Sequence, residues 1–276
     1  MQQRPIGMFD SGLGGLTVLQ AVADVLPHED VIYVGDTARY PYGERNPDQL
    51  IESSVAIANF LVAQGAKMLV VACNSATAAA LPTLRRTVSI PVIGVVDPGL
   101  RAAASVTRSR HTLVIGTNVT VNSRVYENAA DRLNLGLTIT TRACPGLVEL
   151  VEQGVTSGPD VQAILTERLT PALSARVDTL VLGCTHFPLL AREITAITGR
   201  QVVLVSSADE TAFDVRDLLT RTGWAKEHAM SRTITYYTTG EADTFKTLGE
   251  RFLGYPLDDV RPVRFVELGD TPLTRV

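Results

Sequence analysis

Two cysteines lie in similar local surroundings, and such a pair could transfer protons. Cys73 and Cys184 each follow a run of apolar residues. The polar pairs that come directly after them are Asn74-Ser75 and Thr185-His186. A helix is predicted to begin at each of these pairs. The N-terminus of a helix stabilises an anion and lowers the pKa of a nearby thiol from about 8.5. We therefore expect both thiols to be reactive, with Asn74 or Ser75 capping the first helix and His186 supporting proton transfer at Cys184.

Two equivalent thiols facing one substrate carbon are what a two-base reaction needs. One thiol would remove a proton from one face while the other delivers a proton to the opposite face. A zinc site made of Cys73, Cys184 and His186 is the first alternative, but the chain has no closely spaced Cys-x-x-Cys or His-x-x-x-His pair to support it. A Cys–His nucleophile for amide hydrolysis is the second, and it leaves one of the two similar cysteines without a role. Cys144, before Pro145, is predicted to be a small buried hydrophobe outside the mechanism.

Two polar loops are further candidates for binding. The first, from Asp10 to Gly15, contains three glycines that would let backbone N–H groups approach a carboxylate at a helix N-terminus. It is not a dinucleotide fingerprint, because Thr17 stands where the third glycine would be required. The second, from Gly35 to Gly43, is either a plain polar turn or a loop whose backbone and Tyr42 line a pocket.

The elements that would position these residues alternate between strand and helix. The predicted strands are Ile6–Phe9, Val31–Gly35, Met68–Ala72, Val92–Val96, Thr112–Gly116, Leu137–Thr141, Thr179–Gly183 and Val202–Ser206. Their continuous apolar character predicts an α/β fold with parallel sheets covered on both faces. Ligands of such sheets bind beyond the carboxyl ends of the strands, where both cysteines fall.

An internal similarity predicts two halves. Residues 66–77 resemble residues 177–188, since in both a buried strand ends in cysteine and a polar segment follows. With a boundary near Asp97-Pro98, where proline disfavours helix in the preceding residue, one domain would span 98–206. The other would combine 1–97 with 207–276, returning through a helix at about 209–220 and a strand at Thr233–Tyr237.

Composition excludes several classes of protein. The net charge of -4 and the lack of a basic stripe argue against a nucleic-acid partner. Neither a signal peptide nor a membrane span is apparent, and three cysteines suit a reducing cytoplasm. The lysines, Lys67, Lys226 and Lys246, are interpreted as surface residues, none placed to form a Schiff base with pyridoxal phosphate.

Four ordered motifs together resemble the glutamate racemase family. They are Phe9-Asp10-Ser11-Gly12-x-Gly14-Gly15-Leu16, Gly35-Asp36-Thr37-x-x-x-Pro41-Tyr42-Gly43, Ala72-Cys73-Asn74-Ser75-Ala76 and Gly183-Cys184-Thr185-His186-Phe187-Pro188. The resemblance covers nearly the whole chain. It implies two pseudo-symmetric Rossmann-like (flavodoxin-like) domains with the active site between them, and interconversion of L- and D-glutamate for peptidoglycan synthesis without cofactor or metal.

The resemblance also implies roles for individual residues. Cys73 would act on D-glutamate with help from Asp10, and Cys184 on L-glutamate with help from His186. The substrate contacts would be Asp10, Ser11, Tyr42, Gly43, Asn74, Ser75, Thr117, Thr185, His186 and, at an acidic position near the site, Glu152. Two positions depart from the family: Ser75 replaces a common threonine but keeps the hydroxyl, and Glu149 stands where proline is usual.

Two other functions remain open at this point. A racemase for aspartate or another acidic amino acid, or a related decarboxylase, fits the same motifs, because one methylene in a pocket changes few residues. A module that only binds would need neither thiol. The expected partner is a small-molecule substrate, glutamate, and the oligomeric state is open, with a homodimer compatible with the sequence.

Overall fold

The computed structural model describes residues 1–226 and 232–264. Its strands are β1 (Ile6–Asp10), β2 (Val31–Gly35), β3 (Met68–Val71), β4 (Val92–Gly94), β5 (His111–Gly116), β6 (Thr138–Ala143), β7 (Val177–Gly183), β8 (Val203–Val205), β9 (Ile234–Thr238) and β10 (Val260–Pro262). They form two sheets, in the orders β10-β9-β2-β1-β3-β4 and β6-β5-β7-β8. Every strand pair is parallel, which confirms the predicted fold class.

Helices cover both faces of the two sheets. They are α1 (Leu16–Val25), α2 (Pro47–Ala63), α3 (Asn74–Thr87), α4 (Val96–Val106), α5 (Asn118–Asn122), α6 (Val125–Arg132), α7 (Leu147–Glu152), α8 (Pro159–Leu169), α9 (Ala191–Thr198), α10 (Ala208–Thr222) and α11 (Ala242–Leu253). Short 3₁₀ turns lie at Thr37–Arg39, Tyr42–Glu44 and Phe187–Leu190. No helix in the described ranges is long and apolar enough to cross a bilayer.

Apolar side chains of the strands and helices explain why each sheet is covered. On the six-stranded sheet, Met8 and Val70 pack with α1 and α10 on one face, while Phe9 and Val71 pack with α2 and α3 on the other. Alternate residues of one buried strand therefore serve two different cores, as parallel strands require. The four-stranded sheet has its own two cores, on either side of β5 and β7.

The strand predicted at Val92–Val96 is too long. β4 ends at Gly94, and α4 begins at Val96 with Pro98 in its first turn. Proline is tolerated there because the first N–H groups of a helix have no partner within the helix. The chain therefore runs as one helix through the place where Pro98 was expected to separate the halves, and the domain limits themselves stay a prediction.

The interpretation of Lys67 as a surface residue is wrong. Its side chain is fully buried, and its Nζ lies 2.5 Å from Glu29 Oε2. Nζ also donates to the carbonyls of Gln2 and Trp224, at 3.2 and 2.9 Å. This ion pair sits at the start of β3, the end of the sheet away from Cys73.

Candidate active site

The carboxyl ends of β3 and β7 bring the two cysteines to one cleft between the sheets. Cys73 lies two residues beyond the end of β3 and is the N-cap of α3, and Cys184 follows β7 directly. Both are buried, with 5% and 6% of their surface exposed. They line the same cleft, in which the space not filled by atoms, counted together with its opening to solvent, is about 450 Å³. Side chains from two separate sheets therefore meet around one volume.

Most of the residues predicted for the site line this cleft. They are Ser11, Tyr42, Gly43, Cys73, Asn74, Ser75, Thr117, Cys184, Thr185 and His186. Glu152 is outside the lining and contacts His186, and Asp10 is next to Ser11 in the chain. The sequence interpretation did not place Glu44, Cys144 or Glu149 here, although all three line the cleft. The polar residue Glu44 follows the Tyr42-Gly43 motif directly, a signal that could have identified it.

Cys184 begins a chain of polar contacts. His186 Nδ1 lies 3.7 Å from the Cys184 sulfur, and Nε2 lies 2.7 Å from Glu152 Oε1. Burial alone would lower the pKa of His186, but its hydrogen bonds with Cys184 and Glu152 outweigh burial and raise the pKa well above its usual value. A protonated imidazole held by Glu152 is thus placed to donate towards the Cys184 sulfur. The segment after Cys184 is a turn and the 3₁₀ helix Phe187–Leu190, where a helix was expected to begin at once.

Cys73 has different surroundings. Its sulfur is 3.9 Å from Ser11 Oγ, and burial raises the thiol pKa, with the charge of Asp10 adding to the effect. The expectation that the helix N-terminus would lower this pKa is therefore wrong for Cys73, because desolvation of the thiolate outweighs the helix end. The thiolate at this position is scarce at neutral pH but strongly basic once formed.

Asp10 shapes the glycine loop that carries Ser11. Its Oδ2 accepts hydrogen bonds from the backbone N–H groups of Gly12 and Gly15, at 3.1 and 3.0 Å. Burial raises its pKa, opposed by His186 and by these two N–H groups. Within the described residues, Oδ1 is buried and has no hydrogen-bond partner.

Side chains on the two sides of the cleft bind each other. Ser75 Oγ lies 2.8 Å from Thr117 Oγ1, and Tyr126 OH donates to Asn74 Oδ1 at 2.7 Å. The prediction that Asn74 or Ser75 caps α3 is wrong, because Cys73 occupies the N-cap position. Both residues line the cleft instead.

The loop that carries Tyr42 is held by buried polar groups. Tyr42 OH donates a short hydrogen bond to Asp36 Oδ2, and Asp36 Oδ1 accepts one from Thr239 at 2.8 Å. Burial and Asp36 raise the pKa of Tyr42 well above its ordinary value, so the phenol remains protonated. Asp36 thus emerges as a residue that orients the cleft, which its position in the Gly35–Gly43 motif could have suggested.

A close approach explains one glycine of the first loop. A Cβ atom on Gly14 would collide with Thr185 Oγ1 and would lie 2.5 Å from His186 Nδ1. Only a glycine lets the loop after β1 touch the Cys184 segment. Among the described residues, no three His, Cys, Asp or Glu side chains are grouped to hold a metal ion.

Comparison with known proteins identifies the family. Residues 16–212 match the family model for Asp/Glu/hydantoin racemases. The chain belongs to this family. It is 50% identical to a glutamate racemase of Beutenbergia cavernae, with 94% of this chain and 93% of the relative covered. A glutamate racemase of Exiguobacterium sibiricum is 45% identical, with 94% and 96% covered.

Solved structures extend the likeness to the whole fold. A glutamate racemase isoform of Bacillus anthracis superposes with a TM-score of 0.92 at 38% identity, covering 96% of this chain and 99% of that one. A Francisella tularensis glutamate racemase in complex with D-glutamate has a TM-score of 0.89 at 30% identity, covering 95% and 98%. A Picrophilus torridus aspartate racemase shares only the fold, at 15% identity, a TM-score of 0.55, and 79% and 94% covered. The predicted family is confirmed.

Proposed function

We propose that this protein interconverts L- and D-glutamate by proton transfer between two cysteines, without a cofactor. The observation that carries the proposal is the pair of buried thiols lining one cleft from the ends of β3 and β7. Glutamate is chosen because relatives at 45 and 50% identity are glutamate racemases. The likeness to an aspartate racemase is confined to the fold.

The reaction requires opposite protonation states of the two thiols. With L-glutamate, the Cys184 thiolate takes the α-proton, and Cys73 donates its S–H proton to the other face of the carbanion. The reverse reaction starts with a Cys73 thiolate and a Cys184 thiol. Each turnover leaves the enzyme in the state needed for the opposite direction, so the protons must be redistributed before the next turnover. Asp10 is proposed to assist Cys73, and His186 with Glu152 to assist Cys184.

Donor groups around the cleft would hold the substrate. Hydroxyl and amide groups are suited to its two carboxylates, and the loop after β1 offers backbone N–H groups. The proposed contacts are Ser11, Tyr42, Gly43, Asn74, Ser75, Thr117 and Thr185. The burial of the thiols keeps water from the carbanion and strengthens these interactions. A role in supplying D-glutamate for peptidoglycan synthesis in the cytoplasm belongs to the proposal, and a homodimer stays a prediction.

Single Cys73→Ala and Cys184→Ala variants in deuterated water test the mechanism. Each should lose racemisation from both enantiomers by at least about 10²-fold, because each lacks one of the two proton-transfer groups. Each should still exchange the α-hydrogen of the enantiomer that its remaining cysteine faces. Cys144→Ala is the matched control, since this third thiol also lines the cleft but has no proposed role. Racemisation at the normal rate by either of the first two variants would contradict the two-base mechanism.

The substrate is tested separately by chiral chromatography of L-Glu, D-Glu, L-Asp and D-Asp with the wild-type enzyme. We expect racemisation of glutamate, unchanged by a chelator. Faster turnover of aspartate than of glutamate would show that aspartate is the substrate. Loss of activity with the chelator would support the zinc site instead of the metal-free mechanism.

A further inference from the structure

Tyr126 lies outside the cleft lining yet contacts the neighbours of both thiols. It belongs to α6, on the side of the four-stranded sheet, and is buried, with 1% of its surface exposed. Its hydroxyl donates to Asn74 Oδ1, next to Cys73 in the chain. Its ring packs on Gly183, next to Cys184, where an added Cβ would lie 3.3 Å from the ring atom Cε2. One side chain thus spans the two halves of the site.

The hydrogen bond decides which end of the Asn74 amide faces the substrate. An asparagine amide has an acceptor end and a donor end, and their placement follows from the hydrogen bonds that each end makes. With Oδ1 held by Tyr126, the donor atom Nδ2 is left for the cleft. In the part of the chain that the structure describes, Nδ2 is buried and has no partner. The reversed amide would instead leave the buried phenol without the acceptor it now uses, at a free-energy cost.

We propose that Tyr126 is a positioning residue that holds the Asn74 side chain with its NH₂ group towards the cleft, where it binds a carboxylate of the substrate. The inference rests on the proposed function and adds to it which end of the Asn74 amide contacts the substrate. Burial raises the pKa of the Tyr126 phenol, so the hydroxyl keeps the proton that it donates at all working pH values.

A double-mutant cycle tests this coupling. Tyr126→Phe removes only the hydroxyl, and we expect KM for glutamate to rise about tenfold while kcat changes little, since a contact kept from substrate to transition state is weakened. Asn74→Ala should raise KM at least as much. Adding Tyr126→Phe to Asn74→Ala should then have no further effect. A second KM increase of the same size in the Asn74→Ala background would overturn the proposal, because Tyr126 would then act through another group.

A second variant tests the polarity independently of Tyr126. Asn74→Asp keeps an acceptor for the phenol but replaces the donor with an anion. It should bind glutamate more weakly than Asn74→Ala does, since a carboxylate repels a carboxylate. Equal or better KM values for Asn74→Asp would show that Asn74 does not serve as a carboxylate donor.

The control is Tyr236→Phe, which removes another buried phenol hydroxyl far along the other sheet. Its KM should match that of the wild-type enzyme, and thermal unfolding should show that all variants are folded. Failure of the proposed function would appear in the wild-type enzyme, as an absence of glutamate racemisation. Failure of the Tyr126 proposal alone would appear as normal wild-type racemisation with an unchanged KM in Tyr126→Phe.

Discussion

Among the individual residues, the two thiols have unequal electrostatic surroundings. Cys184 faces an imidazole whose second nitrogen is bound by Glu152 at 2.7 Å. Cys73 faces the hydroxyl of Ser11 and the nearby charge of Asp10, which, together with burial, raises its pKa. One face of the substrate therefore meets a thiol with a cationic partner and the other a thiol near an anion. This asymmetry predicts that variants on one side affect the two enantiomers differently.

Replacing His186 with Asn should show this difference in hydrogen exchange. The losses in kcat/KM must be equal in both directions, because the equilibrium constant between enantiomers is one. Exchange in deuterated water has no such constraint. We expect His186→Asn to exchange the α-hydrogen of D-glutamate, which Cys73 removes, at least about tenfold faster than that of L-glutamate, because a general acid–base partner contributes about 10²–10⁴-fold.

The matched variant for this prediction is Asp10→Asn, on the Cys73 side. It should favour exchange of L-glutamate over D-glutamate, the opposite order. Mass spectrometry of both enantiomers after short incubations measures the two rates. The same order of exchange in both variants would show that neither residue is dedicated to one thiol.

Residue types identified part of the site, and tertiary contacts supplied the rest. The similarity of the segments around Cys73 and Cys184 predicted that both would lie at strand ends, because carboxyl ends of parallel strands share one edge. The pKa direction of Cys73 could not follow from sequence, since it depends on burial by residues far away in the chain. The hydrogen bond between Asn74 and Tyr126 joins residues 52 positions apart, in helices that pack on different sheets, and no local sequence pattern predicts it.

At the scale of secondary structure, the loop between β1 and α1 is fitted to the segment after β7. Gly14 touches Thr185 and His186, and Thr17 Oγ1 lies 3.5 Å from the Thr185 carbonyl oxygen. Leu13 N–H donates to Glu152 Oε1 at 3.4 Å. The glycines therefore serve contact between the two halves as well as the turn itself.

Gly14→Ala should lower kcat/KM by about 10²-fold, since displacing a catalytic group by about 1 Å has that effect. The added Cβ cannot fit 2.5 Å from His186 Nδ1, so the Cys184 segment must move away. The thermal midpoint should change little, because each half keeps its own core. Steady-state kinetics and thermal unfolding measure the two effects. Full activity in a folded Gly14→Ala protein would show that the segment has room to shift without loss.

The buried pair Lys67–Glu29 controls stability at the opposite end of β3. Lys67→Met leaves the Glu29 carboxylate, 2% exposed, without its cation, and should lower the free energy of unfolding by about 3–5 kcal/mol. Adding Glu29→Gln should recover much of that loss. Lys246→Met is the control: the Lys246 side chain, paired with Glu250, is 43% exposed, and its loss should change stability by about 1 kcal/mol or less. Equilibrium urea unfolding measures the free energy of unfolding of each variant. Equal losses of stability in Lys67→Met and Lys246→Met would contradict the role given to burial.

Strand and helix order could be predicted because buried parallel strands are continuous apolar runs. The starts and ends were less predictable: Pro98 lies inside the first turn of α4, where its missing N–H has no cost. Neither α11 nor β10 was anticipated. β10 is an edge strand of only three residues, two of them exposed, and such a segment has no hydrophobic periodicity to reveal it.

Considered as a whole, the molecule is two parallel sheets whose carboxyl edges face one cleft. The chain returns to the first sheet through α10, which packs on α1, and through β9, which pairs with β2. The helix predicted at about 209–220 and the strand predicted at Thr233–Tyr237 agree in position with α10 and β9. Contacts that cross the cleft, such as Ser75–Thr117, hold the two halves together around it.

A solvent-exposed contact between the halves joins Asn118 to Glu44, and Glu44 lines the cleft. Asn118 Nδ2 lies 3.0 Å from both carboxylate oxygens of Glu44, and the pair is exposed to solvent. Each residue adjoins a proposed substrate contact, Gly43 on one side and Thr117 on the other. Because the contact joins the two halves beside the cleft, we expect it to favour a closed arrangement of the halves over a more open one.

Asn118→Ala should therefore raise KM about two- to fivefold, in keeping with an exposed hydrogen bond of roughly 0.5–1 kcal/mol. The value of kcat should stay the same or rise, because opening for product release becomes easier. Asn122→Ala, an exposed asparagine on the same helix, is the control and should leave both constants unchanged. Equal changes in the two variants would mean that the helix, and not its contact with Glu44, sets the affinity. A lower kcat in Asn118→Ala would mean that closure limits the chemistry itself.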